Sequence, residues 1–121
     1  MAVKKILVVD DEPQLLDMIK MRLEASGYEV VCAADGQEAL DYVSRYSPDL
    51  VILDLMLPKI DGYKVCGLLK QDTRYKNIPV IMLTALTEEK DNKLSKQVYA
   101  DGYLNKPFDP KVLLAEIKRL S

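Results

Sequence analysis

The chain contains no histidine. That excludes a Ser-His-Asp triad, a histidine-liganded zinc site and a phosphohistidine of the chain's own. No apolar run approaches the ~20 residues a membrane-spanning helix needs. Cys32 and Cys66 are the two cysteines, far apart and without metal-ligand spacing, so they read as reduced thiols. A formal net charge of −2 over 121 residues provides no field that would draw in nucleic acid, and no direct nucleic-acid binding by this segment is expected. Lys4 and Lys5 precede a short apolar run that reads as a strand rather than as a leader, so a cytoplasmic protein is expected. The length suits one domain over residues 1–121, with no membrane partner.

What is present is an alternation of short apolar runs with amphipathic stretches, each run ending in a polar residue. Ile6-Leu7-Val8-Val9 ends in Asp10-Asp11, and Leu50-Val51-Ile52-Leu53 ends in Asp54. Val80-Ile81-Met82-Leu83 ends in Thr84, and Tyr103-Leu104 ends in Asn105-Lys106. The spacing predicts strands near 4–9, 28–32, 50–53, 79–83 and 102–105. Helices are predicted from Pro13 to Ala25, after Asp35, after Asp61, between Glu88 and Tyr99, and from Pro110 onward. Pro13 suits a first helical position and Gly27 an exit, while Asp35 with Glu38 has the pattern of a capping box. Val65, Leu68 and Leu69 are predicted to face inward from the third helix. The helix from Glu88 is weakly patterned and expected to be short and mobile.

Alternating strands and helices predict an α/β fold with a parallel sheet covered on both faces. The second strand is the least apolar, which suits an edge. With right-handed crossovers the expected architecture is a single-domain doubly wound (βα)5, flavodoxin-like, with five parallel strands in the order 2-1-3-4-5. The strand ends then share one edge, and Asp10-Asp11 lies beside Asp54 at the switch point.

Three neighbouring carboxylates disfavour one another's ionisation, and a hard cation such as Mg²⁺ resolves the conflict with carboxylate and water oxygens. Asp54, at the end of a buried strand, suits a nucleophile that forms an aspartyl phosphate. Lys106 supplies a compact positive charge and Thr84 a hydroxyl donor for the phosphoryl oxygens, while the small Ala85 leaves room for entry. Each residue also has a plain structural reading. Asp10-Asp11 could complement the dipole of the following helix, Asp54 could be a polar strand exit, and Lys106 a surface lysine. The combination is what favours chemistry.

Five stretches in register carry a resemblance: Val8-Val9-Asp10-Asp11-Glu12, Leu53-Asp54-Leu55-Met56-Leu57-Pro58, Asp61-Gly62, Leu83-Thr84-Ala85, and Ala100-Asp101-Gly102-Tyr103-Leu104-Asn105-Lys106-Pro107-Phe108. The chain resembles a response-regulator receiver domain of the CheY-like family. The resemblance implies a phosphorylation-activated switch in a two-component phosphorelay. Asp54 would accept a phosphoryl group from a phosphohistidine on a histidine kinase or histidine phosphotransfer protein. Asp10, Asp11, Asp54 and the Met56 backbone carbonyl would hold Mg²⁺, with Asp11 favoured over Asp10 as the direct ligand. Lys106 would contact the phosphoryl group, and its bond to Pro107 is expected to be cis. Thr84 and the switch aromatic Tyr103 would then remodel the face of the fourth helix, fifth strand and fifth helix toward a downstream effector.

The chain departs from the family pattern at Lys59, Tyr99 and Gly102, away from the expected chemistry. Met56 and Leu86 flank the pocket, and both are expected to hinder attacking water. The domain is not expected to be an enzyme in its own right: it assists its own phosphorylation and dephosphorylation, and its product is a changed surface. Three other readings compete. One is a non-phosphorylated pseudo-receiver interaction module. Another is a Mg²⁺-dependent phosphatase with an Asp nucleophile, which needs a second acid where Met56 stands. The last is a flavin or nucleotide binder, against which the acidic, glycine-free loop after the first strand argues.

Overall fold

The first, third and fourth strands are apolar runs whose alternate side chains serve different cores, and this places the sheet in the middle of the molecule. In the computed structural model, residues 3–84 and 100–121 are described. Along the chain run β1 (Lys5–Val9), α1 (Pro13–Ala25), β2 (Glu29–Ala33), α2 (Gly36–Tyr46), β3 (Leu50–Asp54), α3 (Gly62–Gln71), β4 (Val80–Thr84), β5 (Gly102–Asn105) and a C-terminal helix α4 (Pro110–Arg119). Leu7, Val9, Val51, Leu53, Val80 and Met82 join the core under α2 and α3. Ile6, Val8, Leu50, Ile52, Ile81 and Leu83 join the core under α1 and α4. A strand covered on both faces has no polar side, which is why these runs are continuously apolar.

The sheet is parallel with order β2-β1-β3-β4-β5, as the alternation predicts. β2 is the half-exposed edge and lies one residue later than the predicted span. Val9 pairs with Leu53, Asp54 with Leu83 and Thr84 with Asn105, so the polar strand ends form a row along one edge.

Local signals set the helix limits. Pro13 opens α1, and Gly27 leaves it at φ +95°, a left-handed conformation that glycine adopts without steric cost. The Asp35 carboxylate accepts the Glu38 amide at 2.8 Å. Glu38 reaches back to the Ala34 amide at 2.8 Å, one residue beyond the usual capping-box partner. Asp61 caps α3 by accepting from the Lys64 amide, and Asp109 caps α4 by accepting from the Lys111 amide.

One core assignment fails. Leu68 is 42% exposed, while Val65, Cys66 and Leu69 are buried. At ~100° per residue, the stripe through positions 62, 65, 66 and 69 leaves position 68 on its rim. Cys66, the smaller side chain, lies inside instead. Among the described residues no helix is long and apolar enough to cross a membrane. The helix expected between Glu88 and Tyr99, together with Ala85 and Leu86, falls outside the described residues.

Candidate functional site

Asp10, directly after β1, is fully buried, and Asp54, the last residue of β3, is only 4% exposed. Buried carboxylates require partners. Lys106, after β5, provides one for both: its Nζ lies 2.8 Å from Asp10 Oδ2 and 3.2 Å from Asp54 Oδ2, with Glu12 Oε1 at 3.7 Å. The Lys106 side chain is itself 14% exposed. Its position follows from the sheet. The Lys106 amide donates to the Thr84 carbonyl at 2.6 Å, extending the β4–β5 pairing by one step, and the Lys106-Pro107 bond is cis as expected. Thr84 is buried at the end of β4.

The backbone orients both acids. Asp10 Oδ1 accepts the Glu12 amide at 3.0 Å, and Asp54 Oδ1 accepts the Met56 amide at 3.4 Å. Burial pushes the Asp54 carboxyl above its ordinary range, and the charge of Asp10 adds to the effect; Lys106 opposes it but does not cancel it. Burial alone would lower the Lys106 ammonium, yet its bond to Asp10 and the nearby charges of Asp54 and Asp10 prevail and raise it. The ammonium therefore stays charged, and its shorter bond goes to Asp10.

The carboxylate oxygens of Asp10, Asp11 and Glu12 all lie within 4.8 Å of one another. Three hard oxygen donors, two of them exposed, suit a magnesium-like cation that retains several waters. Asp54 is joined to this set through their shared lysine. Glu12 was given no role by sequence reasoning. Its signal was the third consecutive acid after β1, obscured because a residue ahead of a Pro-led helix is expected to be a cap. Glu12 is indeed the N-cap residue of α1 but makes no capping bond with its side chain.

The loop between Asp54 and Asp61 follows directly from the strand that carries Asp54. Leu55 is buried and its amide donates to the Leu83 carbonyl, while the Met56 side chain is 67% exposed. Lys59 adopts φ +66°, where a side chain costs roughly 1 kcal/mol or more, and it pairs with Asp35 at 3.4 Å. Tyr103 on β5 is 39% exposed. Burial raises its hydroxyl, with the Cys66 thiol adding to the shift. Gly102 leaves space for the Glu116–Arg119 ion pair, whose Arg119 donates to the Asp101 carbonyl at 2.8 Å.

The family model of the response regulator receiver domain matches residues 6–118. The chain belongs to that family. This receiver domain is thus a signalling domain of the response regulators of two-component systems. It is 46% identical over 117 residues to the alkaline phosphatase synthesis transcriptional regulatory protein PhoP of Bacillus subtilis (strain 168), a match that covers 97% of this chain and 48% of that protein. The receiver domain spans about half the length of the curated relatives it matches. Its fold matches chemotaxis response regulator CheY4 of Vibrio cholerae with a TM-score of 0.92 and 35% identity, over 99% of this chain and 100% of that one. The receiver domain of sensor histidine kinase PA1611 from Pseudomonas aeruginosa PAO1 is 31% identical with a TM-score of 0.90, over 98% of each chain. That protein has a magnesium ion coordinated in its active site cleft.

Proposed function

We propose that residues 1–121 form one receiver domain that takes a phosphoryl group on Asp54 from a phosphohistidine of a partner histidine kinase or phosphotransfer protein. The observation that carries the reading is the sharing of Lys106 by Asp10 and Asp54, which aims one buried carboxylate and one fixed ammonium at the same point. An Asp54 carboxylate oxygen attacks phosphorus. The new O–P bond forms as the N–P bond to imidazole breaks, and the imidazole leaves with the electron pair and takes up a proton. Lys106 stands where it neutralises a phosphoryl oxygen, and Thr84 supplies a hydroxyl at the neighbouring strand end. Asp10, Asp11 and Asp54, with the Met56 carbonyl, would hold Mg²⁺, which when bound would neutralise charge on the phosphoryl oxygens. Glu12 joins the same acidic wall.

A groove of about 430 Å³ lined by Glu12, Leu15, Met18, Lys106, Pro107 and Phe108 opens beside the site. Its largely apolar lining suits a helix of the phosphodonor protein. After transfer, Thr84 closes on the new oxygens and Tyr103, now 39% exposed, turns inward, which changes the surface read by an effector.

Mass spectrometry after incubation with Mg²⁺ and a small acyl phosphate tests the reading. The wild-type chain is expected to gain one phosphoryl mass on the fragment that contains Asp54, and Asp54→Asn is expected to gain none. An adduct elsewhere, or no adduct on the wild type, rejects the assignment.

A further inference from the structure

Two glycines flank the loop that follows Asp54, and neither is required by backbone conformation. Among the described glycines only Gly27 has a positive φ. Gly36 and Gly62 are instead required by space. A Cβ on Gly62 would fall on the Asp54 carbonyl oxygen, 2.8 Å from Leu55 Cα and 2.9 Å from the Asp54 carbonyl carbon. A Cβ on Gly36 would fall on the Ile60 carbonyl oxygen, 2.7 Å from Ile60 Cβ and 2.8 Å from the Ile60 carbonyl carbon. In each case the obstacle is backbone, which cannot rotate aside as a side-chain tip can.

Hydrogen bonds hold both contacts closed. The Gly62 amide donates to the Leu55 carbonyl at 2.9 Å, and the Gly36 amide donates to the Pro58 carbonyl at 3.3 Å. The Leu55 amide donates to the Leu83 carbonyl at 3.1 Å. The start of α3 thus rests on the peptide group of Asp54 from one side, and the start of α2 rests on the 58–60 turn from the other. We infer that Gly36 and Gly62 are positioning residues for phosphorylation: their bare α-carbons set where the Asp54 carboxylate and the Met56 backbone stand relative to Asp10 and Lys106. The inference rests on the receiver reading above.

A displacement of about 1 Å at a reacting centre lowers a rate on the order of a hundredfold. Gly62→Ala is expected to slow phosphorylation of Asp54 by an acyl phosphate roughly thirtyfold to a hundredfold per folded molecule, and Gly36→Ala about tenfold. Both are expected to weaken half-saturation by Mg²⁺. Gly27→Ala is the control. Its strain at φ +95° destabilises the fold, but nothing lies within 4 Å of the added carbon. It is expected to lower the unfolding midpoint while the rate per folded molecule stays at the wild-type value.

A purely structural role would give all three variants the control's behaviour, and that result overturns the inference. If neither glycine variant folds, Ile60→Ala decides the question, because it loosens the seat on Gly36 without a clash. Its rate is expected to fall about threefold or more, and a wild-type rate overturns the inference. If the wild-type chain itself takes no adduct on Asp54, the receiver reading fails, and that outcome is separate from the glycine comparison.

Discussion

Replacing Lys106 by methionine removes the single ammonium shared by Asp10 and Asp54 while keeping most of the side chain's bulk. Asp10 is fully buried and the Asp54 side chain is 6% exposed, so solvent does little to screen either. At an effective dielectric of about 20, unit charges at 2.8 and 3.2 Å attract by roughly 5–6 kcal/mol each, most of which offsets the cost of burying the charges. Removing one partner of a buried pair typically costs about 3–5 kcal/mol, because the other charge is left uncompensated. The lower end is expected here, since a carboxylate can take up a proton and Asp54 already binds its proton more tightly than usual.

In chelator at pH 7, Lys106→Met is thus expected to lose about 3 kcal/mol in urea unfolding, or on the order of 10 °C in the thermal midpoint. The loss should shrink as pH falls toward 4. Saturating Mg²⁺ should restore more stability to the variant than it adds to the wild type, because the cation no longer competes with an ammonium. A tenfold gain in affinity would appear as about 1.4 kcal/mol at saturation. A variant with wild-type stability in chelator and wild-type Mg²⁺ affinity would refute the claim that Lys106 holds the acidic pair together.

Asp54→Asn should melt above the wild type at pH 7 in chelator. A carboxyl whose folded pKa is raised stabilises the fold at low pH and loses that contribution as pH rises through the folded value, so the advantage of asparagine should vanish in acid. The Cys66 thiol, raised by burial to about 11 from 9.0, should resist alkylation in the native state at pH 8. Its shift favours the neutral form, so about 3 kcal/mol of stability should be lost between pH 9 and 11, a loss that Cys66→Ala should not show in urea titrations across that range. Asp101→Ala should cost about 1–2 kcal/mol in urea unfolding, mainly through the Val80 amide that Asp101 Oδ2 accepts at 2.8 Å, since the exposed pair with Lys70 at 2.7 Å is screened and Lys70 keeps the Lys76 and Ile78 carbonyls; a change under about 0.5 kcal/mol would refute the tie.

The strands, their order and the residues at their ends could be read from the chain. A strand buried on both faces must be apolar throughout, so the first polar residue after each run marks its exit, as Asp10, Asp54 and Thr84 do. The helix starts at Asp35 and Asp61 were legible for a similar reason: each caps by satisfying an amide three residues on. Short-range rules of this kind need no knowledge of the rest of the molecule.

Tertiary structure decided how the ends share their charges. Lys106 meets Asp10 across 96 residues of chain, and only sheet closure sets whether Asp10, Asp54 or Glu12 receives the shorter bond. It also decided that Leu68 lies on the rim while Cys66 lies inside, since the helix period allows either choice until a sheet is placed beneath it. The roles of Gly36 and Gly62 belong here too. A missing side chain leaves no polarity or periodicity to read, and the need for its absence arises only when another segment's backbone is brought against it.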